Sequence, residues 1–346
     1  MVLMNDVVLR GTAMSILYLE DQGAVVGVDA NRCKVTHTDG MVRYLPLETL
    51  DGIMILGHIQ LTTQCMETCL QRGITISYLS RGGKYFGRLV STEHINVERQ
   101  RKQCALYENA FSVDLAREVL AAKLKNQEVV LERYAKSKNI YLDDQIRMLR
   151  ICRKKVLEGS RIAEMIGFEG QGAKAYFDGL SKVIDPAFAF HGRSRRPPMN
   201  PFNSMISLGY SILMNEIYSK IEAKGLNPYF GFIHRDNEKH PTLASDMMEE
   251  WRAVIVDSTA MSLINGHEIR TDNFEMGMDE PGCFLNKEGL KIFLNKLENK
   301  LQTEVKYLDY LEYRVSFRRA MTLQMEQLVK AIETEDASIY KPIEIR

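Results

Sequence analysis

The sequence predicts an α+β protein in two parts: a mostly antiparallel β domain over residues 1–93 and a mainly α-helical domain over residues 94–346. Three observations predict it. Short apolar runs separated by turn residues fill the first ninety positions. The apolar period then changes to a helical one. Strands and helices do not alternate as a parallel α/β fold requires.

In the first part, Ile16 to Leu19, Ala24 to Val28, Cys33 to Thr38, Val42 to Leu47 and Ile53 to Leu56 read as strands. Asp39-Gly40 and Asp51-Gly52 read as hairpin turns between them. Leu61 to Arg72 carries Met66, Cys69 and Leu70 at helical spacing, and Gly73 supplies its C-terminal glycine. Thr75 to Leu79 and Tyr85 to Val90 complete the strands. Beyond Glu93 the apolar residues Leu106, Val113, Leu120, Leu124 and Leu131 mark one long helix, or two broken near Ser112 as an N-cap. Further breaks are expected at Ser137 to Asn139, Asp185 to Pro201 and Gly225 to Pro228.

Composition narrows the class. At 346 residues, 45% hydrophobic and 26% charged, the chain suits about two ordinary globular domains, which excludes disordered, collagenous and coiled-coil proteins. Its longest apolar stretch, Gly52 to Leu61, is interrupted by Gly57, His58 and Gln60, too short to span a bilayer. Met1 to Arg10 lacks a basic segment followed by an apolar core, so the expectation is a cytoplasmic protein without a membrane partner. The six cysteines are too scattered for a disulfide framework. Cys65 and Cys69 fall on one helical face, but no further ligand completes a zinc set, and core packing is the better reading. No glycine-rich nucleotide fingerprint is present.

Lys plus Arg balance Asp plus Glu at 45 each, so net charge alone predicts nothing about nucleic acid. Locally the balance breaks. Glu98 to Glu164 holds 15 basic against 10 acidic residues, and His234 to Glu280 holds 4 against 11. A metal-dependent enzyme acting on a polyanion would show such a pattern, and so would two oppositely charged solvated faces.

Reactive groups concentrate in Gly231-Phe232-Ile233-His234 and in Leu243 to Arg252. Asp246 and Glu249 are three apart, which on a helix sends both carboxylates from one face. Glu169 is a third acid, flanked by Gly167 and Gly170, which permit close approach of a backbone or ligand. One imidazole with carboxylates is a hard donor set that suits Mg2+ or Mn2+ better than zinc. The competing reading is structural: Glu249 pairs with Arg252, and His234 is a hydrogen-bonded loop residue. Spacing alone favours that second reading. Arg147, Arg150 and Lys154 recur at helical spacing, as a phosphate-binding or a merely solvated face would. Arg193, Arg195 and Arg196 crowd one loop, where three guanidinium groups repel one another without an anion; this favours phosphate contact. His240, before Pro241, reads as a turn residue.

Together these motifs resemble the CRISPR-associated protein one family, the integrase subunit of spacer acquisition. The resemblance is carried by Phe168-Glu169-Gly170 with Ala173, Tyr176 and Phe177, by Gly231 to His234, and by the Asp-x-x-Glu-Glu-x-Arg of Asp246 to Arg252. Leu17 to Leu19, Leu45 to Leu47, Ile59 to Thr63, Gly83 to Leu89, Arg99 to Gln103 and Lys123 to Gln127 extend it over nearly the whole chain. Gly172 stands where the family often has Ala.

The resemblance implies a homodimer built on the β domain, a small CRISPR-associated protein two partner, and double-stranded DNA, both protospacer and CRISPR repeat, as substrate. It makes Glu169, His234 and Glu249 the ligands of Mg2+ or Mn2+ and the catalytic set. It makes Asp246 an acid behind them, and Arg252 a phosphate contact. The implied reaction is attack of a DNA 3′-hydroxyl on a phosphodiester of the repeat array. The alternatives are a hydrolytic DNA or RNA nuclease without integration, and a non-catalytic nucleic-acid scaffold.

Overall fold

Where apolar residues come in short runs the chain pairs into sheets, and where they recur every three to four residues it coils. The computed structural model describes residues 15–194, 197–277 and 281–346. The chain divides into two compact units, Met1–His94 and Ile95–Arg346.

The first unit contains strands β1 (Ser15–Leu19), β2 (Val25–Asp29), β3 (Arg32–Thr36), β4 (Val42–Pro46), β5 (Leu50–Leu56), β6 (Gln60–Leu61), β7 (Thr75–Leu79) and β8 (Tyr85–Leu89), with helix α1 (Thr63–Gln71) between β6 and β7. They form two four-stranded sheets, ordered β1-β5-β7-β8 and β4-β3-β2-β6. The hairpins β2-β3-β4 and β7-β8 are antiparallel. The β1-β5, β5-β7 and β2-β6 pairs run parallel. Parallel pairing of β5 with β7 needs a crossover, and α1 lies within that connection.

Gly40 turns the β3-β4 connection at φ +83°. Asp51-Gly52, expected as a second turn, instead lies inside β5. A Cβ at Gly52 would meet Thr75 and the Ile16 side chain within 3.2 Å, so glycine serves close strand packing there rather than chain reversal. Thr62 caps α1 by accepting from the Cys65 amide, and Gly73 follows it at φ +68°. Cys65 and Cys69 are fully buried in the core with Val26, Ile53 and Ile76, the packing role expected of them, and Cys33 joins them there.

The second unit is built from α2 (Val97–Ala105), α3 (Ala110–Lys138), α4 (Asp143–Glu158), α5 (Ile162–Val183), α6 (Pro201–Ala223), α7 (Thr242–Met248), α8 (Ser258–Asn265), α9 (Lys287–Gln302) and α10 (Phe317–Thr334). Two short strand pairs, β9 (Phe274–Met276) with β10 (Cys283–Leu285) and β11 (Glu304–Val305) with β12 (Val315–Ser316), lie between the later helices. A β unit followed by a mainly helical one is the expected class, but among the described strands of the β unit three pairs run parallel and three antiparallel, because β5 and β7 are joined through α1 rather than by a hairpin.

Helix α3 is central, burying Leu115, Val119, Leu124 and Leu131 against its neighbours. Its cap is Asn109 rather than Ser112: Asn109 accepts from the Ser112 amide, and the Ser112 hydroxyl donates to the Leu106 carbonyl at 2.6 Å. Asn and Ser cap equally well, so only the path of the preceding chain decides between them. Asn139 ends the helix in the left-handed region. On α4, Arg147 pairs with Asp144, Arg150 with Glu128 and Glu132, and Lys154 with Glu158, the pattern of a solvated, ion-paired face. Among the described residues no helix is long and apolar enough to cross a membrane.

Candidate metal centre

Four separate segments of the helical unit deliver charged groups to one place. Lys123 comes from the middle of α3 and Glu169 from α5. His234 comes from the loop before α7, and Asp246 from α7 itself. Glu249 and Arg252 follow where the helix changes its winding: α7 tightens into a 3₁₀ turn at Glu249–Trp251, widens into a π-helical segment at Arg252–Asp257, and returns to α at Ser258. Such π-segments are rare and recur at functional sites.

Asp246 organises the loop. Its Oδ2 accepts from the amides of Phe232 and Ile233 at 2.7 and 2.9 Å, and its Oδ1 accepts from the His234 amide at 3.1 Å. The His234 ring nitrogen Nδ1 lies 2.7 Å from the same Oδ1. With both oxygens committed, Asp246 is suited to orient His234 rather than to bind a ligand itself. Its bond to Nδ1 leaves Nε2 as the nitrogen offered outward, the arrangement by which carboxylates fix metal-binding imidazoles. The loop wraps this tightly because residue 231 is glycine: a Cβ there would lie 2.5 Å from Thr242 Cγ2 and 2.7 Å from Asp246 Oδ2. The same aspartate bond raises the His234 pKa above the ordinary histidine value, against burial.

Glu169 and Glu249 converge on one ammonium. Lys123 Nζ lies 2.5 Å from Glu169 Oε1 and also bonds Glu249 Oε2. Glu249 Oε2 in addition accepts from Arg252 Nε at 3.1 Å. Burial alone would raise the Glu249 carboxyl; Arg252, Lys123 and His234 outweigh it and hold it well below the usual carboxylate range. Burial likewise opposes the Lys123 ammonium, and Glu249 and Glu169 together keep its pKa above the ordinary lysine value. Side-chain exposure falls from 36% at His234 to 13% at Glu169 and 5% at Glu249, so the centre opens to solvent on the imidazole side.

The arginines face inward. The Arg252 guanidinium lies 4.7 Å from the Tyr210 ring centre and that of Arg193 5.1 Å from it. Arg193 also donates to Asn203 Oδ1 at 2.8 Å. The Tyr210 hydroxyl donates to Asp257 at 2.5 Å, and the Tyr176 hydroxyl donates to the same carboxylate at 3.1 Å. Arg195 and Arg196 lie outside the described residues. His240 lies in the turn before α7, its Nε2 2.8 Å from Ser245 Oγ. Gly167 and Gly170 lie inside α5 with nothing within 4 Å of an added Cβ. No backbone approaches them, and their absent side chains leave the surface beside Glu169 open.

Among the described residues no three His, Cys, Asp or Glu side chains are already gathered as a metal cluster. The donor chemistry nevertheless fits a hard divalent cation. Two carboxylates already share one cation, the Lys123 ammonium, and an oriented imidazole stands within electrostatic reach of Glu249. Lys123 is the member of the site that spacing did not single out. Its signal is a charged residue inside an apolar helical stretch, between buried Ala122 and Leu124. Tyr210 and Asp257 carry no comparable signal.

The family described as CRISPR associated protein Cas1 matches residues 17–299. A CRISPR-associated endonuclease Cas1 from Mycobacterium tuberculosis is 33% identical over 330 residues, covering 95% of this chain and 97% of that protein. A Cas6-RT-Cas1–Cas2 complex superposes with a TM-score of 0.83 at 23% identity, over 97% of this chain and 37% of that longer one. A casposase bound to integration product superposes with a TM-score of 0.82 at 21% identity, covering 95% of this chain and 94% of that one. The family match and the Mycobacterium relative span the segments that build the centre, and the chain belongs to the CRISPR-associated Cas1 family.

Proposed function

We propose that this protein is a metal-dependent DNA endonuclease and integrase that inserts new spacers into a CRISPR array. The observation that carries the reading is the convergence of Glu169 and Glu249 on one cation beside an imidazole oriented by Asp246. In this reading Glu169, His234 and Glu249 hold Mg2+ or Mn2+. Such an ion, when bound, supplies Lewis acidity to a phosphodiester and lowers the pKa of a hydroxyl.

The chain's own residues do the rest. Asp246 holds His234 in the tautomer that presents Nε2. Arg252, fixed over Tyr210, holds Glu249 through Nε and keeps its carboxylate ionised. A DNA strand enters from the open imidazole side, so that its phosphate meets the three side chains and a 3′-hydroxyl is placed in line for attack. The hydroxyl oxygen forms the new bond to phosphorus as the old phosphodiester oxygen leaves. The relative's name, endonuclease, supports phosphodiester cleavage. The superposed casposase supports strand joining, and the superposed complex supports a Cas2 partner. A homodimer through the β domain, double-stranded protospacer and repeat DNA, and phosphate contacts from the 193–196 loop complete the proposal.

The test is strand transfer of a pre-processed 3′ end into a repeat, measured with Mn2+ for Glu169→Ala, His234→Ala and Glu249→Ala. Each is expected to lose on the order of a thousandfold or more, as loss of a metal ligand removes several kcal/mol of transition-state stabilisation, while circular dichroism stays that of the parent. Strand transfer retained in all three overturns the proposal. Degradation of the end without joining replaces it with a hydrolytic nuclease.

A further inference from the structure

Glu169 and Glu249, with side chains only 13% and 5% exposed, bring two acids to one place, where a positive charge between them offsets their repulsion. Lys123 provides it, bonding both from a side chain only 10% exposed. Its helical neighbours Leu120, Ala121, Ala122 and Leu124 are buried and apolar, so the acids, not its own surroundings, account for a lysine here. We infer that Lys123 is a resident counter-cation: its ammonium bridges Glu169 and Glu249 in the metal-free protein and withdraws from that position when a divalent ion binds. The inference rests on the reading of Glu169 and Glu249 as cation ligands.

The two cations at the centre are not equivalent. Arg252 is held by its Nε bond to Glu249 and its place over Tyr210, a planar group fixed on two sides. Lys123 is a point charge on a flexible four-carbon stem, which can swing away without rearranging α3. While it bridges the acids it stabilises the empty centre and competes with an incoming ion. Metal affinity is then lower than the carboxylates alone would give, because the binding-competent arrangement must first be populated. Lys123 is thus a positioning residue that sets the metal concentration at which the centre fills.

Direct Mn2+ binding to the full chain, followed by the electron paramagnetic resonance signal of the unbound ion, tests this without reference to activity. Lys123→Met keeps most of the unbranched length of the side chain, one heavy atom shorter, and removes its charge. It is expected to bind Mn2+ roughly tenfold more tightly than the parent, ~1.4 kcal/mol. Lys220→Met is the control: it removes another lysine that is largely buried on a carboxylate, Glu216 at 2.8 Å, and is expected to leave Mn2+ affinity unchanged. Equal or weaker binding by Lys123→Met, with the parent binding normally, overturns the inference and leaves the metal reading standing. No Mn2+ binding by either protein overturns both. Should Lys123→Met not fold, a Mn2+-bound structure of the parent decides. Nζ parted from at least one carboxylate supports the inference, and Nζ still bridging both beside the ion overturns it.

Discussion

Around Glu216, Arg318 donates from Nε and Nη2 to the two oxygens at 3.0 and 3.3 Å, and reaches Glu298 with a second pair of bonds at 2.6 and 2.9 Å. Lys220 adds a bond to Glu216 at 2.8 Å, so two carboxylates face two cations. Around Glu169 and Glu249 the parts are similar but the arrangement differs. Glu169 and Glu249 share Lys123, Glu249 also takes Arg252, and Asp246 is turned onto His234. The first cluster is closed and bidentate, a geometry that uses up its charge inside the fold. The second shares one flexible ammonium between two acids and carries an imidazole at its open edge. Burial is common to both, so burial does not distinguish a structural ion cluster from a site. The distinction lies in a shared ammonium, an imidazole at the edge and access.

If that comparison is right, the closed cluster matters for stability and the open one for binding. Arg318→Met leaves Glu216 with Lys220 and takes the guanidinium from Glu298, and it is expected to cost ~3–5 kcal/mol in denaturant unfolding, the range for breaking a buried pair. Addition of Mn2+ should not recover the loss. A cost below ~1 kcal/mol would place the cluster with ordinary surface pairs and break the comparison.

The next effect is in acid. Arg318 and Lys220 outweigh burial and lower Glu216 from 4.5 to about 2. A depressed carboxylate stabilises the fold above its unfolded pKa, and the contribution disappears as pH falls through the folded value. The stability difference between the parent and Glu216→Gln is therefore expected to shrink by ~3 kcal/mol as pH falls from about 4.5 toward about 2. A difference that stays flat across that window would show that Glu216 is not held by its partners. The smallest effect sharpens the other side of the comparison. Asp246→Asn replaces an oxygen that accepts backbone bonds with an amide that cannot, and loosens the orientation of His234. Mn2+ affinity should fall by roughly 10- to 100-fold, the range for partners behind metal-binding histidines, and the structure around Glu216 should be unchanged.

Much of this was legible in sequence. Short apolar runs marked seven of the eight strands, all but the two-residue β6, to within a few residues, and Gly40 and Gly73 marked a hairpin turn and the end of α1 because positive φ favours glycine. The three-residue spacing of Asp246 and Glu249 correctly put them on one continuous helical path, although the path changes winding between them. Asp51-Gly52 misled because glycine beside aspartate signals a turn and glycine inside a crowded strand leaves the same letters. In the arginine loop, Arg193 lies over Tyr210, a contact between residues seventeen apart that spacing could not show.

The order of residues by itself determined the elements, because hydrophobic period, caps and turn residues act over a few positions along the chain. It also determined the stock of carboxylates and the imidazole near residue 240. Only the tertiary structure decided that α3 and α5 bring Lys123 and Glu169 against Glu249, that Asp246 turns inward to hold His234, and that Arg252 is bound over Tyr210. Coulomb energy and desolvation depend on distance through space and on burial, and neither can be read from separation along the chain.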